Sequence, residues 1–204
     1  MLDDRFPHVL NVISHDAPSL AQALRPLGSA GWLCPDYAFD IPLAANPDAA
    51  LAEAKDAARG MAADINIVPG DGRRKKLLAA DMESTIISGE CVNDLADIAG
   101  VGPQVAAITE RVMRGEIEFA GALRERVALL KGLPLAALER AYRERVRFNP
   151  GAKELVATMH AHGAVTLLLS GGFTWFTQRV ARAAGFDIDR ANILLDDGTR
   201  LLGT

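Results

Sequence analysis

Short apolar runs and helical periodicities alternate along the chain. "HVLNVIS" (His8 to Ser14) has the length and apolar content of a strand. In "APSLAQALRPLGSAG", Leu20, Leu24 and Leu27 fall at helical spacing, and Gly28 stands near the stop. "WLCPDYAFDIPL" reads as extended, with Pro35 and Pro42 limiting its regularity. Asp48 to Met61 reads as a second helix and "DINIV" (Asp64 to Val68) as another strand. Together these predict a small open-faced sandwich of sheet and helices.

Turn residues followed by four cations, "PGDGRRKK" (Pro69 to Lys76), mark a boundary. The expected domains are therefore 1–70 and 71–204. In the second, "KLLAA" (Lys76 to Ala80) reads as a buried strand. A helical stretch follows from about Cys91 to Val146. Val105, Ile108, Val112 and Met113 share one face of it, and Leu123, Val127 and Leu130 another. Gly100, Gly115 and Gly132-Leu133-Pro134 divide it into about four helices. Pro150 opens a further helix, Gly151 to His162, closed by Gly163. "AVTLLL" (Ala164 to Leu169) is a second buried strand, and "SGGF" (Ser170 to Phe173) leads into a helix to about Ala184. "NILLDDGTRLLG" reads as a hairpin turning at Asp197-Gly198. Two parallel strands and a hairpin leave the strand ending at Ala80 with an open edge.

Composition narrows the function. The 204 residues are 50% hydrophobic, enough for one large core or two modest ones. A formal charge of −4, with the cations dispersed, argues against a nucleic-acid partner. Two cysteines, Cys34 and Cys91, stand far apart, as in a reduced intracellular protein. The start "MLDDRFPHVL" lacks the pattern of a signal peptide, and no apolar run reaches membrane-spanning length. The expectation is a soluble, cytoplasmic chain with no membrane partner. His8 and His15 stand in no ligand pattern.

The chemistry gathers where the two buried strands end. Ligands of open parallel sheets bind at the carboxyl ends of the strands, so Asp81 and Ser170 are expected to face one crevice. Ser170-Gly171-Gly172 suits a phosphate, because glycines admit an anion to the backbone and the next helix begins with unpaired N–H groups. In "DMEST", Asp81 could attack phosphorus and Glu83 could move protons, with Ser84 and Thr85 orienting them. Two anions would need a metal ion between them, and oxygen donors point to Mg²⁺. Equally, these residues could simply cap the next helix.

The motifs resemble a known family. "DMEST" is similar to the DxDxT motif of the haloacid dehalogenase-like superfamily, and within it the phosphoserine phosphatases. Glu90 stands nine residues after Asp81, where that family carries an acid. Ala106 to Pro134 resembles its helical cap, "SGGF" its second motif, and "ANILLDDGTRLLGT" the hairpin that follows. The resemblance runs from about Arg73 to Thr204. It implies an α/β, Rossmann-like core with an inserted helical cap at about 88–147. It implies Mg²⁺-dependent hydrolysis of O-phospho-L-serine to serine and phosphate through an aspartyl-phosphate. Asp81 would be nucleophile and metal ligand. Glu83 would be the acid/base and would lend its backbone carbonyl to the metal. Thr85 would orient them. Ser170, Gly171 and Gly172 would hold the phosphate, Glu90 the ammonium and Arg126 the carboxylate, with Met113 and Phe119 as an apolar wall. A zwitterion does need one anion and one cation, and arginine suits a carboxylate through paired hydrogen bonds. The N-terminal segment resembles a small ACT-like regulatory or dimerising domain, so a homodimer is an expected assembly. A serine-sensing module without catalysis, or a phosphatase for another small phosphomonoester, are the other readings.

Two departures stand out. The family's second aspartate is Glu83 here, and the extra methylene carries the carboxylate about 1.5 Å further. The family's pattern also continues with a catalytic lysine and an acidic metal-binding motif. The expectation is a core truncated at its C-terminus, weakly active or inactive.

Overall fold

The computed structural model describes residues 6–204. The chain divides into two compact units, residues 1–74 and 75–204.

In the first unit, β1 (His8–Ser14) is the inner strand of a four-stranded antiparallel sheet. The others are β2 (Gly31–Cys34), β3 (Ala38–Leu43) and β4 (Ala63–Pro69), in the order β2-β3-β1-β4. Helices α1 (Ala17–Ala23) and α2 (Pro47–Ala57) cover one face. Leu10 and Val12 of β1, with Phe39 and Ile41 of β3, pack there against Leu20, Leu24 and Ala54. The succession β1α1β2β3α2β4 is a ferredoxin-like arrangement. The expected helix 48–61 stops at Ala57, because Ala58 caps it and Gly60 turns the chain with φ 85°. On the other face, Asp40 is buried. It accepts a hydrogen bond from Asn11 across the β1–β3 ladder and pairs with Arg73. The "GRRKK" segment is thus pinned to this sheet at its first arginine.

The second unit carries a three-stranded parallel sheet of β5 (Leu77–Asp81), β8 (Val165–Phe173) and β9 (Ile188–Asn192), in the order β5-β8-β9. Between β5 and β8 the chain makes a long excursion through α3 (Cys91–Ala99), α4 (Gly102–Met113), α5 (Phe119–Ala128) and α6 (Ala136–Arg145). A two-residue ladder closes its stem: β6 (Ile87–Ser88) pairs with β7 (Arg147–Phe148). Helices α7 (Ala152–Ala161) and α8 (Thr174–Ala184) complete the unit. One core runs through it, with Met82, Leu95, Leu130, Leu138, Leu168, Phe173 and Phe176 buried together. α7 and α8 protect a single face of the sheet. On the opposite face Leu77 is 56% exposed and Val165 47%.

Two sequence expectations need correction. The sheet has three parallel strands rather than two, because "IDRAN" is a short, charge-bearing strand with no apolar run to announce it. The expected hairpin does turn at Asp197-Gly198: Asp196 bridges Leu201, the Asp197 N–H donates to the Arg200 carbonyl at 3.0 Å, and the Leu202 N–H donates to the Leu195 carbonyl at 2.8 Å. The second buried strand also does not stop at Leu169. β8 continues through the glycines to Phe173, with its pairing to β9 slipping between Leu169 and Phe173. The glycine segment is thus a bulged strand end rather than the first turn of a helix.

Candidate active site

Parallel pairing of β5 with β8 sets Asp81 level with Leu169, and the Met82 N–H donates to the Leu169 carbonyl at 3.0 Å. That register places the acid at the end of β5 beside Ser170. After Asp81 the chain turns sharply, and Ser84 takes a left-handed conformation (φ 53°), unusual for a residue with a side chain. The turn sends Glu83 inward and brings Ser84 to Glu90, whose carboxylate accepts the Ser84 hydroxyl at 2.9 Å.

Glu83 is the best-connected group. Its Oε1 accepts the Cys91 N–H at 2.8 Å, which satisfies the first free amide of α3. Its Oε2 accepts the Ser170 hydroxyl at 3.1 Å, and Ser170 Oγ in turn accepts the Gly172 N–H at 2.8 Å. The longer side chain at position 83 therefore bridges the start of the cap and the glycine segment. Burial pushes the Glu83 carboxyl above its ordinary value, and the Glu90 charge pushes the same way, against the hydrogen bonds from Cys91 and Ser170. A carboxyl whose value is raised in this way is better suited to giving up and taking back a proton than an ordinary surface carboxylate. The adjoining Cys91 thiol is buried and pushed far above its usual range, so it is inert as a nucleophile.

A cavity of about 200 Å³ gathers most of the expected site. Asp81, Glu83, Glu90, Phe119, Arg126, Gly171 and Gly172 line it, with Val92, Leu123 and Phe173 as apolar wall. A second cavity of about 360 Å³ opens on the other side of Asp81, lined by Ser170, Gly171, Arg190, Ala191 and Asn192. Arg126 is half-buried, with Nε given to the Ala122 carbonyl, one turn back, at 3.3 Å. Phe119 is 57% exposed and lies over Gly171, where a Cβ would come within 3.0 Å of its ring. Gly172 is tighter: a Cβ there would lie 2.8 Å from Glu83 Oε2.

Two expected residues are not drawn in. Met113, the last residue of α4, is 83% exposed and lines neither cavity, because the buried face of α4 is carried by Val105 and Ile108. Thr85 is exposed, and its carbonyl accepts Asn149 Nδ2 at 2.8 Å. Sequence reasoning missed Arg190 and Asn192, since the strand that bears them carries no apolar signal. Among the described residues, no three acidic, histidine or cysteine side chains cluster closely enough to hold a metal ion unaided. No helix among them is long and apolar enough to cross a membrane.

A parallel sheet with a helical insert after its first strand, an acid at that strand's tip and a serine-glycine segment at the next describe a hydrolase class. The family model for haloacid dehalogenase-like hydrolases matches residues 78–203, and the chain belongs to that family. Its similar relatives are more particular. The phosphoserine phosphatase of Albidiferax ferrireducens is 51% identical over 129 residues, which is 63% of this chain and 54% of that protein. A solved phospho-aspartyl intermediate analogue of phosphoserine phosphatase matches with a TM-score of 0.59 and 35% identity, over 64% of this chain and 62% of the other. An unliganded probable phosphoserine phosphatase from Vibrio cholerae matches with a TM-score of 0.73 and 25% identity, over 96% of this chain and 62% of that one. The chain spans about half the length of the curated relatives it matches.

Proposed function

We propose that this site serves the hydrolysis of O-phospho-L-serine through an aspartyl-phosphate on Asp81. One observation carries the reading: a single cavity is lined by the acid pair Asp81 and Glu83, the glycines Gly171 and Gly172, and the opposite charges Glu90 and Arg126. The phosphatase relatives support it. A phosphomonoester lacking an ammonium or a carboxylate would leave Glu90 or Arg126 without a partner.

In the first step an Asp81 oxygen attacks phosphorus. The bond from phosphorus to the serine oxygen breaks, and that oxygen takes the Glu83 proton. In the second, Glu83 as carboxylate takes a proton from water as the water attacks the aspartyl-phosphate. Orthophosphate leaves, and Asp81 and the acid form of Glu83 are restored. Arg126 orients the substrate carboxylate and Glu90 its ammonium, while Phe119 shields the space between. The donor chemistry fits Mg²⁺, which commonly takes one or two carboxylates and fills its shell with water and phosphate oxygens. Asp81 and the carbonyl of Glu83 would hold it, and when bound it neutralises charge on the phosphate and the nucleophile.

The N-terminal unit is read as an ACT-like regulatory or dimerising module, supported by its β1α1β2β3α2β4 order. Two unpaired cysteines suit a cytoplasmic setting. The test is phosphate release from phosphoserine by wild type and Asp81→Asn, with Mg²⁺ and with EDTA. Release that needs Asp81 and Mg²⁺ is expected. Serine binding without any release would replace the reading with a sensor, and equal release from phosphoethanolamine would remove the role given to Arg126.

A further inference from the structure

We infer that Asn192 is a positioning residue for the phosphate-holding segment, an inference that rests on the function proposed for Ser170–Gly172. Asn192 is the last residue of β9 and lies opposite Phe173. Its Nδ2 donates to the Gly171 carbonyl at 2.9 Å and to the Gly172 carbonyl at 3.3 Å. These are the residues over which the β8–β9 pairing slips, so the ladder does not hold the glycines in register. The side-chain amide takes over from the ladder there. Asn192 is exposed and is not a core residue, so packing does not explain it.

The consequence for the site follows from peptide planarity. In a trans peptide the C=O of Gly171 and the N–H of Gly172 point in opposite directions. Drawing that carbonyl toward β9 turns the Gly172 N–H toward Ser170, whose Oγ it reaches at 2.8 Å. The Ser170 hydroxyl then donates to Glu83 Oε2 at 3.1 Å. One chain of hydrogen bonds thus runs from Asn192 through the Gly171–Gly172 peptide and Ser170 to the acid/base. Without Asn192, two glycines with no side chains and no ladder would sample many orientations, and the Gly172 N–H would hold Ser170 Oγ beside Glu83 only part of the time. Asn192 touches neither phosphate nor the reacting atoms in this account. It sets the Gly172 N–H, and through that the place of the Ser170 hydroxyl that holds the phosphate under the proposed function.

The test uses the full chain, with inorganic phosphate as probe, Asn192→Ala to remove the donors and Asn192→Asp to keep the shape. Phosphate is titrated while the Gly171 and Gly172 amides are followed by ¹H–¹⁵N NMR, and thermal midpoints are recorded alongside. In wild type both amides should shift. In Asn192→Ala the dissociation constant should rise on the order of 5- to 10-fold, the size of one or two neutral hydrogen bonds. Asn192→Asp should bind more weakly still at pH 7, since it cannot donate and adds a negative charge. It should recover toward wild type as acid protonates it. For phosphoserine, KM should rise more than kcat falls. If both variants bind phosphate as wild type does, the positioning role is wrong and the site reading stands. If wild-type Gly171 and Gly172 do not respond to phosphate, the site reading fails and takes this inference with it.

Discussion

Gly172→Ala offers a sharp probe of the site, because the space it would fill is already occupied. The new Cβ would lie 2.8 Å from Glu83 Oε2 and 3.0 Å from Ser170 Oγ, whereas ordinary contact begins at 3.4 Å. The carboxylate must retreat by about 0.6 Å, yet its other oxygen is held by the Cys91 N–H at 2.8 Å. The Ser170–Glu83 bond, now 3.1 Å, is the contact that gives way. A hydrogen bond to a charged group contributes about 1.5–3 kcal/mol, and the open side of the cavity favours the lower end. A catalytic group misplaced by about 1 Å loses on the order of 100-fold in rate, so roughly 10-fold or more is expected here. Backbone strain does not enter, since Gly172 has no positive φ. Gly171→Ala is the control. Its Cβ would meet the ring tip of Phe119 at 3.0 Å, and that half-exposed side chain can turn aside at a cost of about 0.5 kcal/mol. Denaturant midpoints and phosphoserine turnover are to be measured for both. Wild-type midpoint and turnover in Gly172→Ala would refute the claim that Glu83 and Ser170 form one close-packed unit.

Glu83→Gln keeps the shape and removes the proton. Turnover should fall about 10²- to 10⁴-fold. Because the Glu83 carboxyl is raised by burial, the folded state holds its proton more tightly than the unfolded chain. Its contribution is thus full below the ordinary carboxyl value and lost as pH rises through the raised one. The glutamine variant should therefore gain denaturant resistance relative to wild type from acid to neutral pH, and an unchanged difference would contradict the burial. Asp187 has the opposite sign. The Thr166 N–H at 2.7 Å and His160 at 3.0 Å hold its carboxyl below the usual range. That stabilisation is present above the unfolded value and disappears as pH falls through the lowered one, so Asp187→Asn should flatten the acid limb of the stability curve.

What could be seen in the sequence depended on how each element signals itself. β5 and β8 are apolar runs bounded by polar residues, and four helices of the insert are punctuated by glycines. Their existence was readable, though not the far end of β8. The placing of Asp81 beside Ser170 followed from the general habit of parallel sheets. β9 was invisible because Asp189, Arg190 and Asn192 interrupt any hydrophobic period, and with it went Asn192. The bulge through Gly171 and Gly172 was invisible too, since glycines before a helix look alike whether they extend a strand or open a turn. Met113 was placed in the apolar wall by resemblance alone. Its position at the exposed end of α4 depends on how the helices pack, which no local pattern encodes. Glu83 read as a misfit by one methylene, yet that methylene lets it span from α3 to Ser170.

The order β5-β8-β9 has a mechanical meaning. Through Leu169, β8 is flanked on both sides, whereas Asp81 ends a strand paired on one flank only among the described residues. A strand held by a single ladder opens more readily than one held by two, so its outward amides should exchange with solvent first. Among the described residues the ladders on both flanks of β8 are continuous only to Leu169, so Asp81 is held by one ladder and Ser170 by side-chain bonds beyond it. Any contact that braces the outer flank of β5 would shift the nucleophile and leave Ser170 where it is.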